Sequence, residues 1–357
     1  MRVAFYSPMA EPDARVASGV QRMGKLLQSA LTAAGAKIVQ PTLPRTYEGR
    51  GDGARQIALR ADSKQAAAAL LQHVRKGTEA RPDLWFSYHV YYKSPDWIGP
   101  AVSRVLSIPY LIAEGSHAPK RAGGLWALGH EGATAALGAA DRLLAMTVFD
   151  RFCLDQLAPG RVRDLKPFID VAPFIAPRSS WERVRFVTVG TMKDERKRAS
   201  YALLADALRR LDVPYSLTVA GDGPYRAEIE AMFAGLDVRF AGMVPAEQIP
   251  AFLAAGDIFA WPGLGEAYGL VFLEAQAAGL GVVACDDRGV PDAVGAGSAL
   301  LSAPGDVAAY AANLRRVAID GQLRQRLGEA ARGFVAQERS VEAAARTLRA
   351  VIAEVFG

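Results

Sequence analysis

The chain has 357 residues, of which 51% are hydrophobic and 22% charged, and its formal net charge is +5. This is ordinary globular composition, and the length suits two domains of roughly 150 to 200 residues each. The two cysteines, Cys153 and Cys285, lie far apart with no His or Cys at metal-ligand spacing. This excludes a disulfide framework and a zinc motif, and we expect both to be small core residues.

The sequence has neither the pattern of a signal peptide nor that of a membrane-spanning segment. The start, MRVAFYSPMAEPD, carries one basic residue and only a short apolar run before Pro8, which is not the layout of a signal peptide. No uninterrupted apolar stretch reaches the roughly 18 residues that a membrane span needs. The Ala- and Gly-rich segment 122–140 is interrupted by His130 and Glu131. We therefore expect a soluble, cytoplasmic protein.

The charge is distributed unevenly. Residues 1–175 carry 22 Lys and Arg against 15 Asp and Glu, whereas the remainder carries 20 against 22. A basic N-terminal half suggests an anionic partner, either an anionic or lipid-linked acceptor or an acidic membrane surface that the protein binds peripherally. A solvated basic face accounts for the same charges. Because no zinc-finger spacing or aromatic-studded basic strand accompanies them, nucleic acid is not an expected partner.

Strand-like apolar runs recur along the chain, with helical segments between them. They cover residues 2–7, 36–41, 83–89, 109–115 and 142–147, and then 183–190, 215–221, 237–242, 257–263 and 281–286. Such alternation predicts parallel sheets covered by helices on both faces. The expected fold class is α/β, with two Rossmann-like, doubly wound domains in series.

A proline-containing segment separates the two halves. Residues 164–180, DLKPFIDVAPFIAPRSS, are typical of a linker. The tail from residue 306 predicts successive amphipathic helices. We predict an N-terminal domain over 1–175, a C-terminal domain over 176–335, and a C-terminal helix over 336–357 that packs back on the first domain. Ligands of such folds bind where loops leave the carboxyl ends of strands, so the cleft between two facing domains is the expected site.

The stretch GEAYGLVFLEAQAAG, residues 265–279, places two carboxylates in an apolar segment. On one continuous helix Glu266 and Glu274 would be roughly 80° apart in azimuth and about 12 Å apart in height, so they would not form an acid and base pair. If the helix begins near Gly269, Glu266 lies in a loop beside backbone N–H groups that suit a phosphate. Glu274 then lies one turn into the helix and can accept hydrogen bonds from ribose hydroxyls. The alternatives are a surface loop acid and a buried Glu satisfied by the backbone or an Arg.

Longer segments around this stretch resemble a known family. The sequence GLGEAYGLVFLEAQAAGLGVVACDDRGVPDAV closely resembles the E-x7-E region of the family 4 retaining glycosyltransferases, which have the two-Rossmann-domain glycosyltransferase B fold. The resemblance continues through FVTVGTMKDERKRASYALLADAL, YSLTVAGDGPYRAEIE and VRFAGMVPAEQIPAFLAAGDIFAWPG, and covers about residues 184–300. The N-terminal half, with SPMAEPDARVASGVQRMGKLLQSALTAAGAKIV, resembles the family more loosely. The resemblance implies a nucleotide diphosphate sugar as donor substrate and no separate cofactor.

The resemblance also implies roles for individual residues. Glu274 would bind the nucleotide ribose, and Glu266 would bind the donor-sugar hydroxyls at the reacting centre. Gly269 and Leu270 would offer backbone N–H groups to the diphosphate.

The cationic positions depart from the family pattern. The phosphate-binding Arg of the family follows the first strand of the second domain, where this chain has Thr191, and the phosphate-binding Lys aligns best with Lys197. Either Arg196 or Arg198 is expected to supply the missing charge. By itself the run ERKR would indicate a solvated helix start.

Three further segments are predicted to contact the donor. Gly19 precedes a helix that begins near Val20, so its backbone could approach a diphosphate closely. Gly221, in AGDGP, ends a strand with small residues and lets a base approach the backbone. Met243 and Val244 follow the next strand, near the base. A helix cap and an ordinary turn are the alternatives for the two glycines.

Two histidines follow neighbouring strands of the first half. His117 lies in AEGSHAPKR, where members of the family often have a His that contacts the donor or the reacting centre, and Lys120 and Arg121 beside it favour anions. His89 ends WFSYH and is predicted to lie on the acceptor side. A core role is the alternative for both histidines.

The function that the resemblance implies is transfer of a hexosyl unit, with retention, from a nucleotide diphosphate sugar to an acceptor hydroxyl, in bacterial-type cell-surface polysaccharide or glycolipid synthesis. No metal site is expected, because Asp286 and Asp287 point to different sides of an extended chain. Two alternatives stay open. One is a sugar-nucleotide-binding protein without transfer activity, suggested by Thr191, and the other is an epimerase or phosphorylase with the same fold.

Overall fold

The chain forms two compact units. The computed structural model describes residues 1–9, 19–174, 183–193, 195–266 and 269–357. One unit comprises Met1–Lys166 together with Val341–Gly357, and the other comprises Pro167–Ser340. The boundaries expected from the sequence lie after residues 175 and 335.

In its described residues the first unit has a six-stranded sheet and six α-helices. The strands are β1 (Arg2–Tyr6), β2 (Lys37–Val39), β3 (Leu84–Val90), β4 (Tyr110–Gly115), β5 (Arg142–Ala145) and β6 (Val162–Asp164). The helices are α1 (Gly19–Ala33), α2 (Gly53–Lys76), α3 (Gly99–Leu106), α4 (Ala127–Ala139), α5 (Val148–Leu157) and the C-terminal helix Val341–Phe356. Short 3-10 helices cover Pro119–Arg121 and Gly124–Trp126.

The strand order of the first sheet brings three loops to one edge. The order is β2-β1-β3-β4-β5-β6, and every neighbouring pair is parallel. The loops that follow β3, β4 and β5 therefore leave the sheet at its carboxyl edge, where open α/β sheets bind ligands.

The C-terminal helix belongs to this unit, because it packs against α1. Glu354 near its end accepts hydrogen bonds from Arg142 at 2.8 Å and from Arg163 at 3.0 Å. Residues at the end of the chain thus complete a unit that begins at its first strand.

The second unit has the same plan. Its strands are β7 (Val184–Val189), β8 (Tyr215–Ala220), β9 (Val238–Gly242), β10 (Ile258–Ala260), β11 (Gly281–Cys285) and β12 (Ala299–Ser302). Its helices are α6 (Glu195–Leu208), α7 (Arg226–Met232), α8 (Ile249–Ala254), α9 (Leu270–Ala277), α10 (Val290–Ala293), α11 (Val307–Ile319) and α12 (Gly321–Glu338); the C-terminal helix of the first unit is α13. Further 3-10 helices cover Ala172–Phe174 and Ala246–Gln248.

The second sheet is doubly wound. Its order is β12-β11-β10-β7-β8-β9 with parallel neighbours, so the chain turns from one half of the sheet to the other between β7 and β10. Such a switch point leaves a crevice outside the carboxyl ends of the two strands, and this is the usual ligand site of the fold.

The central strands are apolar throughout because the sheets are covered. All residues of β4 and β11 are buried. The largest fully buried side chains include Trp85 and Tyr110 in the first unit and Trp261 and Tyr201 in the second. Each fully buried large apolar side chain contributes about 1.5–3 kcal/mol.

The predicted fold class is confirmed. All ten predicted strands are present, and the structure adds the short strands β6 and β12 at the sheet edges. Cys285 is buried as expected, whereas Cys153 is only half-buried. Within the described residues no helix combines the length and the apolar character that crossing a bilayer requires.

Candidate functional site

A cluster of polar side chains lies at the switch point of the second unit. Glu266 follows β10, and Lys197 lies in the first turn of α6, which follows β7. The two side chains form an ion pair and are 17% and 20% exposed, respectively. Trp261 donates its indole N–H to Glu266 Oε1 at 3.2 Å, and Lys197 Nζ lies 5.4 Å from the centroid of that indole ring. The carboxylate is therefore fixed by two partners while still reachable from solvent.

Tyr201 lies near Glu266, and its hydroxyl is buried. The pKa of Tyr201 is raised, first by burial and second by the negative charge of Glu266. The Tyr201 hydroxyl instead donates a hydrogen bond to the Gly190 carbonyl at 2.8 Å. It therefore braces the loop after β7 rather than serving as an acid at neutral pH.

The loop that carries Glu266 is fixed by its neighbours. Gly265 has φ of +74° and donates its N–H to Asp287 Oδ2 at 2.7 Å. Leu264 donates to Ser200 Oγ at 3.0 Å. A Cβ on Gly265 would lie 2.5 Å from Arg196 Cδ, so Arg196 lies directly against this loop. Asp287 thus has a structural role, which a sequence reading of CDDR did not find.

Helix α9 follows this loop and contains the second acid. Gly269 precedes the helix with φ of +60°, a conformation that suits glycine, and the helix begins at Leu270. Glu266 therefore lies in the loop and Glu274 in the helix, as one of the two geometries considered above requires. The Glu274 side chain is 4% exposed. The first backbone N–H groups of such a helix lack partners within it and can bind an anion.

The loops after β7, β8 and β9 are in direct contact. Gly190 donates its N–H to the Ala220 carbonyl at 3.0 Å, and Gly221 donates to the Gly242 carbonyl at 2.8 Å. A Cβ on Gly221 would lie 1.9 Å from the Gly190 carbonyl oxygen, so this close approach requires glycine. The contact between these loops is therefore sufficient to explain glycine at position 221, with or without a bound ligand.

The remaining predicted donor residues surround these loops. Thr191 is exposed, and Met243 is 68% exposed directly after β9, with Val244 half-buried beside it. Arg198 is bonded to Glu228 and lies over the Tyr225 ring at 4.9 Å. Of the two candidate replacements for the missing cation, Arg196 is therefore the one that lies at the Glu266 loop.

In the first unit, His117 follows β4 and lies beside a second histidine. The rings of His117 and His130, on α4, are 5.4 Å apart. Partial burial and the nearby charge of His130 lower the pKa of His117. A neutral imidazole is thereby favoured, and such a group can both donate and accept a hydrogen bond.

His89, the other predicted residue of this unit, lies at the end of β3 and has a charged neighbour. Its φ is +65°, and its Nδ1 lies 2.8 Å from Glu114 Oε1 on β4. Glu114 was not among the residues predicted from the sequence. The signal was present, since Glu114 interrupts the apolar strand YLIAEG just as Glu274 interrupts an apolar helix.

The structure brings only some of the predicted residues together. The structure brings Glu266, Lys197 and Arg196 together in the second unit, and it places Gly269, Leu270 and Glu274 directly after them along the chain. In the first unit His89 lies at the end of β3, His117 follows the neighbouring strand β4, and α1 begins at Gly19. The residues before Gly19 in the predicted glycine loop lie outside the described part of the chain, as do residues 267 and 268. Among the residues described, no three His, Cys, Asp or Glu side chains are arranged to hold a metal ion.

Part of the second unit is similar to a known family. Residues 183–320 match the family model described as glycosyl transferases group 1. This segment contains the Lys197 and Glu266 cluster and helix α9. The matched segment is less than half of the chain.

Two curated relatives are named for transfer of sugars. The chain is 35% identical over 263 residues to 2-deoxystreptamine glucosyltransferase of Streptomyces kanamyceticus, covering 70% of this chain and 65% of that protein. It is 37% identical over 116 residues to sulfoquinovosyl transferase SQD2 of Arabidopsis thaliana, covering 31% of this chain and 23% of that protein. The chain thus spans 23% and 65% of the lengths of these relatives, which is less than two thirds of either.

A solved structure matches the fold over nearly the whole chain. Alr3699/HepE of Anabaena, in complex with UDP, superimposes with a TM-score of 0.72 at 16% identity and covers 99% of this chain and all of that one. The two six-stranded parallel sheets with their helices are those of glycosyltransferase B structures. At this identity the likeness concerns the fold.

Proposed function

We propose that the protein is a retaining glycosyltransferase that moves a hexosyl unit from a nucleotide diphosphate sugar to an acceptor hydroxyl. The observation that carries this proposal is the cluster of Lys197, Glu266 and Trp261 at the switch point of the second sheet, followed by the start of α9. It combines a cation for phosphate, a carboxylate for sugar hydroxyls and backbone N–H groups for a diphosphate.

The residues of this site would act on three parts of the donor: the sugar, the diphosphate and the ribose. Glu266 would hold the sugar hydroxyls, and Lys197 with Arg196 would stabilise the charge that develops on the departing diphosphate. The N–H groups of Gly269 and Leu270 would bind the same phosphates. Glu274, one turn into α9, would hold the ribose.

Other predicted residues would complete the donor contacts. Gly19 at the start of α1 would approach the diphosphate, and His117 would contact the donor or the reacting centre as a neutral imidazole. Gly221, Met243 and Val244 would lie near the base. Retention is supported by the resemblance to a retaining family and implies that the acceptor oxygen attacks from the face that the diphosphate leaves.

The names of the relatives support the substrate classes. UDP is bound by Alr3699/HepE, which supports a nucleotide sugar as donor. Glucosyl and sulfoquinovosyl transfer by the curated relatives supports a hexosyl group. We further propose that the reaction needs no metal or separate cofactor and belongs to cell-surface polysaccharide or glycolipid synthesis. The protein would work in the cytoplasm, with the basic N-terminal half as a means of peripheral membrane contact.

Release of nucleoside diphosphate from candidate nucleotide sugars, with and without acceptors, tests the proposal. Acceptor-dependent release together with a glycosylated product supports it. Binding without turnover across a broad acceptor panel would favour the sugar-nucleotide-binding alternative. Release of free sugar phosphate or of an epimerised sugar would instead indicate a phosphorylase or an epimerase.

A further inference from the structure

We propose that Arg288 is a specificity-determining residue that selects a donor whose transferred hexosyl unit carries a carboxylate, that is, a nucleotide-linked hexuronic acid. This inference rests on the proposed function, because it names the class of sugar that the same donor site binds. It concerns the sugar and not the diphosphate, which Lys197 and Arg196 would bind.

Arg288 lies in a tight turn after β11, and its backbone conformation there is unusual for an arginine. Val290 donates its N–H to the Asp287 carbonyl at 3.0 Å, so Arg288 and Gly289 are the central residues of the turn. Arg288 has φ of +47°, and Gly289 has φ of −83° and ψ of −5°. A turn of this form normally has glycine at its first central position. The left-handed conformation costs an arginine free energy, and residues held in it are frequent at functional sites.

The turn is fixed to the loop that carries Glu266. Gly289 donates its N–H to the Glu266 carbonyl at 3.1 Å, and Asp287 Oδ2 accepts the Gly265 N–H at 2.7 Å. The residues on both sides of Arg288 are thus bonded to Glu266 and to the residue before it. Arg288 therefore borders the place that the proposed function gives to the donor sugar.

The Arg288 guanidinium is available to an anion. Lys197 and Arg198, on α6, are both paired with carboxylates of the second unit. The Arg288 side chain is exposed, and within the part of the chain that the structure describes it takes part in no hydrogen bond or ion pair. This holds also for the two acids that precede it in the sequence. A ligand can therefore use its full charge.

A guanidinium beside a sugar-binding carboxylate favours an acidic sugar. Its planar fork can donate two parallel N–H groups to a carboxylate, and such bonds are stronger than those to an uncharged hydroxyl. Glu266 would accept the hydroxyl groups of the sugar, and it would repel a sugar carboxylate unless a cation lay beside it. Arg288 supplies this cation. The diphosphate has other partners, namely Lys197, Arg196 and the first N–H groups of α9.

Calorimetric titration of the full-length protein tests the preference. UDP, UDP-glucose and UDP-glucuronate share one nucleotide, and the two sugars differ only by a carboxylate in place of a hydroxymethyl group. GDP, GDP-mannose and GDP-mannuronate form a second series. In the series whose diphosphate binds more tightly, we expect the uronate to bind at least about tenfold more tightly than the neutral sugar nucleotide. Equal or weaker binding of the uronate would overturn the proposal.

Variants of Arg288 separate the sugar from the diphosphate. Arg288→Gln is expected to lose the preference for the uronate, while its affinity for the nucleoside diphosphate stays within about twofold of the wild type. Arg288→Lys keeps the charge without the planar fork and is expected to retain part of the preference. Arg326→Gln, at an exposed position of α12, is the matched control and should keep all of it. A preference that survives in Arg288→Gln contradicts the role of this residue, as does an equal loss of nucleoside diphosphate affinity, which would assign Arg288 to the phosphates.

Arg288→Gly distinguishes a role in binding from a role in folding. Glycine adopts the left-handed conformation freely, so this variant is expected to unfold at a higher urea concentration than the wild type and yet to lose the preference for the uronate. Lower stability together with a retained preference would contradict the proposal. Failure of the wild type to bind either nucleotide series contradicts the proposed function, whereas binding of both sugar nucleotides without preference contradicts only the role of Arg288.

Discussion

The left-handed backbone of His89 predicts an unusual order of stability among its variants. Alanine in that conformation costs about 1–2 kcal/mol, whereas glycine adopts it freely and loses about 0.5–1 kcal/mol in conformational entropy. We therefore expect His89→Gly to be more stable than His89→Ala by about 1 kcal/mol in urea unfolding. The same two substitutions at exposed His73 in α2 should give the opposite order. Equal stability of the two His89 variants would contradict a strained backbone at this position.

The pair of His117 and His130 predicts how the protein responds to acid. Burial and His130 lower the pKa of His117 in the folded state below the 6.5 of an unperturbed histidine, so the unfolded chain binds protons more readily. The contribution to stability is therefore present above the unfolded pKa and is lost as the pH falls toward the folded pKa. NMR titration of His117 should give a midpoint below 6.5, and His130→Gln should raise it. A midpoint above 6.5 would contradict the burial of this side chain.

Individual site residues could be predicted from the sequence where local geometry determines their position, and not where tertiary contacts do. Glu266 and Glu274 were separable from periodicity alone, because an α-helix cannot place them together. The partners of Glu266 could not be predicted, because Trp261 and Lys197 are brought to it by the fold and not by their spacing in the sequence. Glu114 could have been found by the test applied to Glu274, which asks what compensates a carboxylate inside an apolar run.

Two of the three glycines in helix α4 have opposite predicted effects. A Cβ on Gly129 would lie 2.0 Å from the Tyr92 carbonyl oxygen, so this glycine allows the helix to approach the loop after β3. We expect Gly129→Ala to destabilise the protein by at least about 2 kcal/mol. Gly138 has no atom within 4 Å of such a Cβ, and Gly138→Ala should stabilise by up to about 1 kcal/mol. Thermal unfolding of the two variants checks the pair, and similar melting temperatures would contradict the close approach.

The elements themselves were largely predictable. Buried parallel strands give continuous apolar runs, and ten of them could be located in the sequence. The strands β6 and β12 are short, lie at sheet edges and carry Asp164 and Ser302, so their apolar pattern is too weak to detect. Element order along the chain, which alternates strands and helices, was sufficient for the fold class.

Helix α13, at the end of the chain, packs against the first unit and forms part of its core. Six residues of α13 are buried, among them Leu348, Val351 and Ile352. Deletion of residues 341–357 would remove several large apolar contacts worth about 1.5–3 kcal/mol each, comparable with the net stability of a domain. We expect amide exchange in α1 to accelerate strongly, while β10 and β11 of the second unit keep their protection. Glu354→Gln, which loses only exposed ion pairs, should change exchange far less.

The sequence predicted a C-terminal helix that packs back on the first domain, but not that this helix begins at Val341. The amphipathic tail was evident from its periodicity, but α11, α12 and α13 share the same pattern. Only tertiary contacts assign α11 and α12 to one unit and α13 to the other. Domain boundaries are therefore predicted less accurately from composition than the helices and strands themselves.

Variants of Glu266 and Glu274 test most directly whether the donor binds at the switch point of the second sheet. Steady-state transfer and calorimetric nucleoside diphosphate affinity are measured for the wild type, Glu266→Ala and Glu274→Ala. Glu274→Ala should weaken nucleoside diphosphate binding by roughly ten- to hundredfold, because charge-assisted hydrogen bonds are worth about 1.5–3 kcal/mol. Glu266→Ala should lower kcat far more than that affinity. Unchanged kinetics and affinity in both variants would contradict the assignment of the site.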